Sequence, residues 1–165
     1  MKKILLAILL AIVSLSACKK SLVGEEKAKE QARIDDAIIQ QYIADNNLQD
    51  SAKRIDTTGV FYIVRKPGTG SVVFTNSTYV TVGFSARLLT TGQLIDETDT
   101  FHPSYILGGN IIKAWKLGIP QIQKEGVVRL LVPSRYAYGP YPQPSSGLPA
   151  NAVLDFIITL YDVTN

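Results

Sequence analysis

Few side chains in this sequence could carry acid–base, nucleophilic or metal chemistry. His102 is the one histidine and Cys18 the one cysteine among 165 residues. A hydrolytic triad or a metal centre would therefore depend on His102, which precedes Pro103 in a sequence typical of a loop. Zinc sites built on thiolates need more cysteines, and no glycine-rich phosphate loop ending in Lys-Ser or Lys-Thr occurs. We therefore expect no metal and no cofactor, and a hydrolase would lack a credible base.

Residues 133–149 form a long segment rich in proline and tyrosine. Loops of this length without regular structure usually serve binding rather than simple connection. This loop is therefore the first candidate for contacts with a ligand, and the elements around it must position it.

Alternation of apolar and polar residues predicts strands over residues 59–64, 78–89, 126–132 and 152–163. One short helix is predicted over residues 110–117, capped by Asn110 and stopped by Gly118 and Pro120. A series of strands with one isolated helix indicates an α+β fold with an antiparallel sheet.

An N-terminal helical segment is predicted over residues 25–50, which are rich in helix-forming residues and free of proline. Residues 25–33 are polar on every side, as in a solvated spacer. Ile34, Ile38 and Tyr42 recur every four residues and predict an apolar stripe that docks on the domain or on a second copy. A packed or spacer helix is favoured over a dimerisation helix.

The first residues have the organisation of a targeting segment. A basic start precedes an apolar stretch of about ten residues, Ile4 to Val13, and the sequence Leu15-Ser-Ala-Cys18 follows as a small-residue cleavage site. This resembles the lipobox of bacterial lipoproteins, which implies a signal peptide over residues 1–17, lipidation of Cys18 and a tether over residues 18–24. An ordinary signal peptide or a spanning helix is the alternative, but the stretch falls short of the roughly 20 residues that cross a bilayer. We expect anchoring to the inner or outer membrane of the cell envelope, facing the periplasm.

The charge pattern excludes one class of partner. The formal net charge is +3, and no cluster of lysine and arginine interleaved with aromatic residues occurs. Nucleic-acid binding normally requires such a basic surface. We therefore expect no nucleic-acid partner.

Four stretches in the second half of the chain carry a family resemblance. They are Gly92-Gln-Leu-Ile-Asp96, Leu107-Gly-Gly-Asn-Ile-Ile-Lys-Ala-Trp115, Val132-Pro-Ser-Arg-Tyr-Ala-Tyr-Gly139 and Leu148-Pro-Ala-Asn-Ala-Val-Leu-Asp-Phe156. In this order and spacing they resemble the FKBP-type peptidyl-prolyl isomerases. The resemblance implies that residues 55–165 form an antiparallel sheet of five or six strands wrapped around the short helix. It also implies cis-trans isomerisation of X-Pro bonds in exported proteins, as a folding assistant.

The resemblance implies an apolar pocket that holds the proline ring of the substrate. Its expected members are, from floor to wall to rim, Trp115, Phe156, Leu148 and Ile111. Phe84 and Ile95 complete the expected substrate-binding set.

The same resemblance implies three polar groups at this pocket. The Ile112 amide and the Tyr138 hydroxyl are expected to donate hydrogen bonds to substrate carbonyls, and Asp96 is expected to face the twisting amide. Asp96 and Tyr138, with Trp115 and Phe156, form the expected catalytic set.

Two positions depart from the pattern of the family. Phe84 stands where the family usually has a tyrosine that supports the aspartate, and Ile95 where it usually has an aromatic ring. These departures predict reduced activity and leave open an alternative, a non-catalytic module or chaperone that binds proline-containing segments. The partners expected from the resemblance are proline-containing polypeptides and macrolide-type inhibitors, in addition to the membrane.

Overall fold

The computed structural model describes the backbone of residues 2–165 and the side chains of residues 24–165. It contains two compact units, Met1–Ile34 and Asp35–Asn165. Helix α1 spans Lys2–Asp45. The predicted signal peptide, tether and lipidation of Cys18 fall on residues whose side chains lie outside the described residues. No helix within the described part of the chain combines the length and apolar character needed to cross a bilayer.

Seven strands within the described residues form one antiparallel sheet in the order β1-β2-β6-β7-β3-β4, with β5 paired to β3. They are β1 (Lys53–Arg54), β2 (Phe61–Lys66), β3 (Tyr79–Leu88), β4 (Leu94–Glu97), β5 (Ser104–Ile106), β6 (Val127–Val132) and β7 (Leu154–Thr164). The α+β class with an antiparallel sheet is confirmed. The strand count exceeds the five or six that the family resemblance implied, because the sheet also includes the very short strands β1 and β5, of two and three residues.

The centre of the sheet is formed by β3 and β7, the two longest strands. They pair from Tyr79 opposite Thr164 to Leu88 opposite Leu154, with one irregularity in register after Thr81. Side chains on one face of a strand recur every second residue. The inward face of this pair is therefore apolar over its whole length and builds the main core of the domain.

Helix α2 (Lys113–Gly118) packs against β6 over this core. Ala114 and Trp115 are buried, and a Cβ atom on Gly118 would lie 2.5 Å from the methyl carbons of Leu130. The glycine therefore allows the helix to approach the sheet closely. The predicted cap by Asn110 is wrong, because the helix begins after Ile112 and no side chain caps it.

The C-terminal end of α1 packs in a second apolar cluster with residues of β2, β6 and the segments directly after β3 and before β7. Its buried members are Ile39, Ile43, Phe61, Leu89, Leu131 and Val153. Of the predicted stripe, Ile38 and Tyr42 pack against this cluster and Ile34 does not, because the fully buried row lies one residue further along the helix. Ile34 is 39% exposed and Ile38 and Tyr42 are half-buried, because the fully buried row also contains Asp35, a residue that the apolar pattern omits.

Candidate active site

A pocket of about 430 Å³ lies between the inward face of the sheet and α2. Four aromatic rings form its apolar part and come from β3, β5, α2 and β7. They are Phe84, Tyr105, Trp115 and Phe156. The pocket also includes five further residues that the sequence placed in the site, namely Ile95, Asp96, Ile111, Ile112 and Tyr138. Segments from six parts of the chain, namely β3, β4, β5, α2 with the residues before it, the loop between β6 and β7, and β7, therefore meet at one cavity.

Trp115 is the centre of the aromatic group. Its ring centroid lies 4.9 Å from that of Phe84, 5.8 Å from that of Tyr105 and 5.7 Å from that of Phe156. The interplanar angles of 66°, 79° and 88° make all three contacts edge-to-face. This arrangement is favourable for aromatic pairs and holds each ring in one orientation. The pocket floor is consequently preorganised.

The strand register determines which side chains face the cavity. Ala86 on β3 pairs with Asp96 on one side and with Phe156 on the other. Its small side chain lines the pocket between the carboxylate and the ring. The carboxylate and the aromatic floor are thus brought together through a single residue of the central strand.

Two hydrogen-bond donors of the pocket are available to a ligand. Ile112 is the residue before α2, and no group among the described residues accepts a hydrogen bond from its N–H. Tyr138 lies in the loop between β6 and β7 and is 39% exposed. Burial, the negative charge of Asp96 and the neighbouring Tyr105 together raise the pKa of the Tyr138 hydroxyl. The hydroxyl therefore remains a donor at neutral pH.

Asp96 lies on β4 with its side chain exposed at the pocket edge. The ion pairs among the described residues join arginine or lysine to acidic residues other than Asp96. Phe84, the ring nearest to Trp115, has no hydroxyl that could donate to the carboxylate. Asp96 is therefore held by its strand rather than by a polar partner.

Leu148 is the one predicted pocket residue that the structure places elsewhere. It is 2% exposed, belongs to the main core and does not line the cavity. The loop folds back on itself through a bridge between Gln143 and Leu148, which directs Leu148 inward. Leu154, at the start of β7, lines the pocket.

Tyr105 is the aromatic pocket residue that the sequence did not predict. It lies in the three-residue strand β5, and its position is set by pairing with Val80 of β3. A strand of that length has no periodicity that could reveal it. The tyrosine following the His102-Pro103 turn was the available signal.

His102 does not belong to this pocket. Its ring stacks on that of Tyr161, with centroids 3.9 Å apart and an angle of 11° between the planes. Within the described residues, no group of histidine, cysteine, aspartate and glutamate is arranged to hold a metal ion.

An antiparallel sheet around a short helix, with an aromatic cavity and a few polar groups at its edge, is the arrangement of a protein that has a site for a partly apolar ligand. The sequence model of the FKBP-type peptidyl-prolyl cis-trans isomerases matches residues 70–161, more than half of the chain. The chain belongs to this family.

Known proteins similar to this chain agree with that assignment. FkpA from Buchnera aphidicola subsp. Acyrthosiphon pisum, an FKBP-type peptidyl-prolyl cis-trans isomerase, is 29% identical over 109 residues, which cover 66% of this chain and 44% of the relative. FK506-binding protein 4 from Chaetomium thermophilum is 35% identical over 107 residues, covering 64% of this chain and 21% of the relative. The crystal structure of FkpA from Escherichia coli has a TM-score of 0.65 at 27% identity and covers 95% of this chain and 71% of that one. The chain spans less than half the length of the FkpA relatives from Buchnera.

Proposed function

We propose that this chain catalyses the cis-trans isomerisation of X-Pro peptide bonds and so assists protein folding. The observation that carries the proposal is the cavity of about 430 Å³ in which four aromatic rings surround a site beside two available donors. An apolar cavity with a few convergent polar groups is the usual form of a ligand site. Membership of the family supports the same function.

The reaction needs an environment rather than a nucleophile. Rotation about an X-Pro bond is opposed by amide resonance, with a barrier of about 18–20 kcal/mol. The amide loses its charge separation as it twists, so a dry pocket favours the twisted form over the planar one. Trp115 is 4% exposed and Phe156 is 1% exposed, so the floor on which the proline ring would rest excludes water.

The polar groups at the edge would hold the backbone on either side of the proline. The N–H of Ile112 and the hydroxyl of Tyr138 are both donors, and substrate carbonyls are acceptors. Asp96 would face the rotating amide, as the family resemblance implies. None of these groups transfers a proton or forms a covalent bond in this reaction.

A prolyl isomerisation assay tests the proposal directly. The full-length protein should accelerate isomerisation of X-Pro peptides, and its kcat/KM should depend on the residue that precedes proline. Trp115→Phe, which retains an apolar floor of smaller size, should lower kcat/KM while the protein remains folded. If folded wild-type protein leaves the isomerisation rate at the value measured without protein, the proposed function is excluded.

A second candidate is a module that binds proline-containing segments without catalysis. It is favoured by the lack of a polar partner for Asp96 and by Ile95, which provides no ring to the pocket. Phe84→Tyr combined with Ile95→Phe would add a hydroxyl and a ring. An interaction with a charged group contributes about 1.5–3 kcal/mol and a ring contact about 0.5–1.5 kcal/mol, so kcat/KM should increase roughly tenfold or more.

The gain in that double variant must depend on the carboxylate. Adding Asp96→Ala should cancel most of it, because the restored groups would act through Asp96. A double variant that binds peptide more tightly but isomerises no faster would support the binding module.

The finer features of the function rest on the first residues of the chain. The Leu-Ser-Ala-Cys18 sequence supports lipidation of Cys18 after removal of a signal peptide, with anchoring to a membrane of the cell envelope. The clients would then be exported proteins that fold in the periplasm. The aromatic pocket further supports binding of macrolide-type inhibitors, which should compete with proline-containing peptides.

A further inference from the structure

Two adjacent acidic residues of α1 contact the loop that carries Tyr138. Asp35 is fully buried, and its Oδ2 accepts hydrogen bonds from the N–H of Ser134 at 2.9 Å and from the Ser134 hydroxyl at 2.6 Å. Arg135 Nη2 donates to Oδ1 of Asp36 at 2.6 Å. These partners are 99 residues apart in the sequence. The helix and the pocket loop are therefore joined by specific polar contacts.

Ser134 in turn organises the backbone on both sides of Tyr138. Its carbonyl accepts hydrogen bonds from the N–H of Ala137 at 2.9 Å and from the N–H of Gly139 at 2.8 Å. Gly139 is held a second time, because its carbonyl accepts from the N–H of Asn151 at 2.8 Å. Tyr138 lies between these two anchored residues, so a displacement of Ser134 would also displace Tyr138.

The burial of the Asp35 carboxylate is not needed to dock the helix. Ile39 and Ile43 already bury an apolar row of α1, and another apolar residue at position 35 would extend it without desolvating a charge. A charge-assisted hydrogen bond is about twice as strong as a neutral one and depends more on geometry. The carboxylate therefore adds an orientation for Ser134 that apolar packing would not provide.

A second contact secures the same loop. Besides Asp36, Arg135 Nη2 donates to the carbonyl of Thr58 at 2.8 Å. Gly59 has a φ of +81°, and a Cβ at this position would overlap the Arg135 guanidinium and the Asp36 carboxylate. The backbone at residues 58–59 thus leaves the space that this ion pair occupies.

We propose that Asp35 is a positioning residue for Tyr138, acting through Ser134. This rests on the proposed isomerase function, in which the Tyr138 hydroxyl binds a substrate carbonyl. The turn of α1 at Asp35 then helps to shape the pocket, although it touches no substrate.

Asp35→Asn retains the shape of the side chain and removes its charge. It should lower kcat/KM about 3- to 10-fold, mainly through a higher KM, because the Tyr138 hydroxyl, one neutral hydrogen-bond donor, would be held less firmly in place. In a Tyr138→Phe background, the same substitution should change kcat/KM by less than about twofold, since the group it positions is absent. Ser134→Ala, which retains the backbone contact, should show the same dependence on Tyr138.

Tyr42→Phe is the matched control on the same helix. It removes the hydrogen bond of 2.6 Å that Arg129 Nη2 donates to the Tyr42 hydroxyl, a contact that leads to β6 and not to the loop. It should reduce stability and leave kcat/KM unchanged.

Hydrogen exchange of the full-length protein tests the positioning without using activity. In Asp35→Asn, the amides of Ala137 and Gly139 should exchange about tenfold faster, while those of β6 and β7 keep their rates. Tyr42→Phe should leave the two loop amides unchanged.

Two results would overturn the positioning role. One is an equal loss of kcat/KM from Asp35→Asn with and without the Tyr138 hydroxyl, and the other is uniform acceleration of exchange over the whole sheet. An inactive wild-type protein would instead contradict the proposed function, and the exchange of the loop amides would still decide whether Asp35 holds the loop.

Discussion

Trp115 and Tyr138 line the same cavity but are integrated into the protein to different degrees. Trp115 is 4% exposed and contacts three other rings, whereas Tyr138 is 39% exposed in a loop. Trp115→Ala should therefore lower the free energy of unfolding by about 3–5 kcal/mol. Tyr138→Phe should change it by no more than about 0.5 kcal/mol.

Tyr138→Phe should weaken peptide binding although it hardly changes the stability of the fold. Loss of one neutral hydrogen bond costs about 0.5–1.5 kcal/mol, so Tyr138→Phe should raise the Kd of a proline-containing peptide roughly 2- to 10-fold. Urea unfolding and peptide titration of the folded variants measure the two effects. Comparable losses of stability in both variants would make Tyr138 a structural residue.

The hydroxyl of Tyr138 also makes a pH-dependent prediction. Burial is the main cause of its raised pKa, and the charge of Asp96 is the second. Asp96→Asn should therefore lower the pKa of Tyr138 without returning it to the ordinary value of about 10. Ultraviolet titration of tyrosinate, with Tyr138→Phe to identify the transition, measures this change, and Asp99→Asn should have no effect.

The direction of the same pKa shift determines how stability depends on pH. The folded protein holds the Tyr138 proton more tightly than the unfolded chain does, so the contribution to stability is complete below about pH 10. It is lost as the pH rises through the raised pKa of the folded state. A Tyr138 transition below that of an exposed tyrosine would contradict the described surroundings of the hydroxyl.

Single residues of the site differ in how well a sequence reveals them. Trp115, Asp96 and Phe156 lie in stretches with a family pattern, and the structure places all of them in the cavity. Tyr105 has no such stretch, because its position follows from strand pairing across a loop. The inward direction of Leu148 follows from backbone hydrogen bonds with Gln143, which a residue pattern does not express.

Among the elements, regular alternation of apolar and polar residues predicted the long strands correctly. A search for recurring apolar residues alone misplaced the buried face of α1. The pattern of β3 and β7 is sustained over 10 and 11 residues, so the inward face was evident. On α1, the buried row includes the Asp35 carboxylate, which accepts hydrogen bonds from the N–H and the hydroxyl of Ser134. A search for apolar residues alone cannot include such a position, because its burial depends on a distant hydrogen-bond donor.

The corrected face of α1 predicts a contrast between two isoleucines. Ile39 is fully buried in the second cluster, whereas Ile34 is 39% exposed. Ile39→Ala should lower the free energy of unfolding by about 2–5 kcal/mol, since it leaves a cavity. Ile34→Ala should remain within about 0.5 kcal/mol of the wild type. Chemical denaturation of both variants measures this, and a larger loss from Ile34→Ala would restore the original stripe.

For the whole molecule, the compact unit is larger than the region that matches the family. The family match covers residues 70–161, while the unit extends over Asp35–Asn165. The additional residues include the end of α1, with Asp35 on the pocket loop, and β1 and β2 at one side of the sheet. A part of the chain that forms an intact pocket should therefore include Asp35 and the end of α1.

The proposed attachment to a membrane should depend on a single sulfur atom, that of Cys18. The chain has one cysteine, so Cys18 can form no disulfide within the molecule. Cys18→Ala should therefore abolish lipidation and retention in the membrane fraction, because stable anchoring needs the buried methylenes of two or more acyl chains, at about 0.8 kcal/mol each. Its prolyl isomerase activity and unfolding transition should match those of the wild type.

Ser21→Ala, which lies outside the lipobox sequence, is the matched control and should stay membrane-bound. Fractionation and mass spectrometry of the N-terminal peptide measure both variants, and wild-type membrane retention of Cys18→Ala would show that the anchor is not a lipid on this residue.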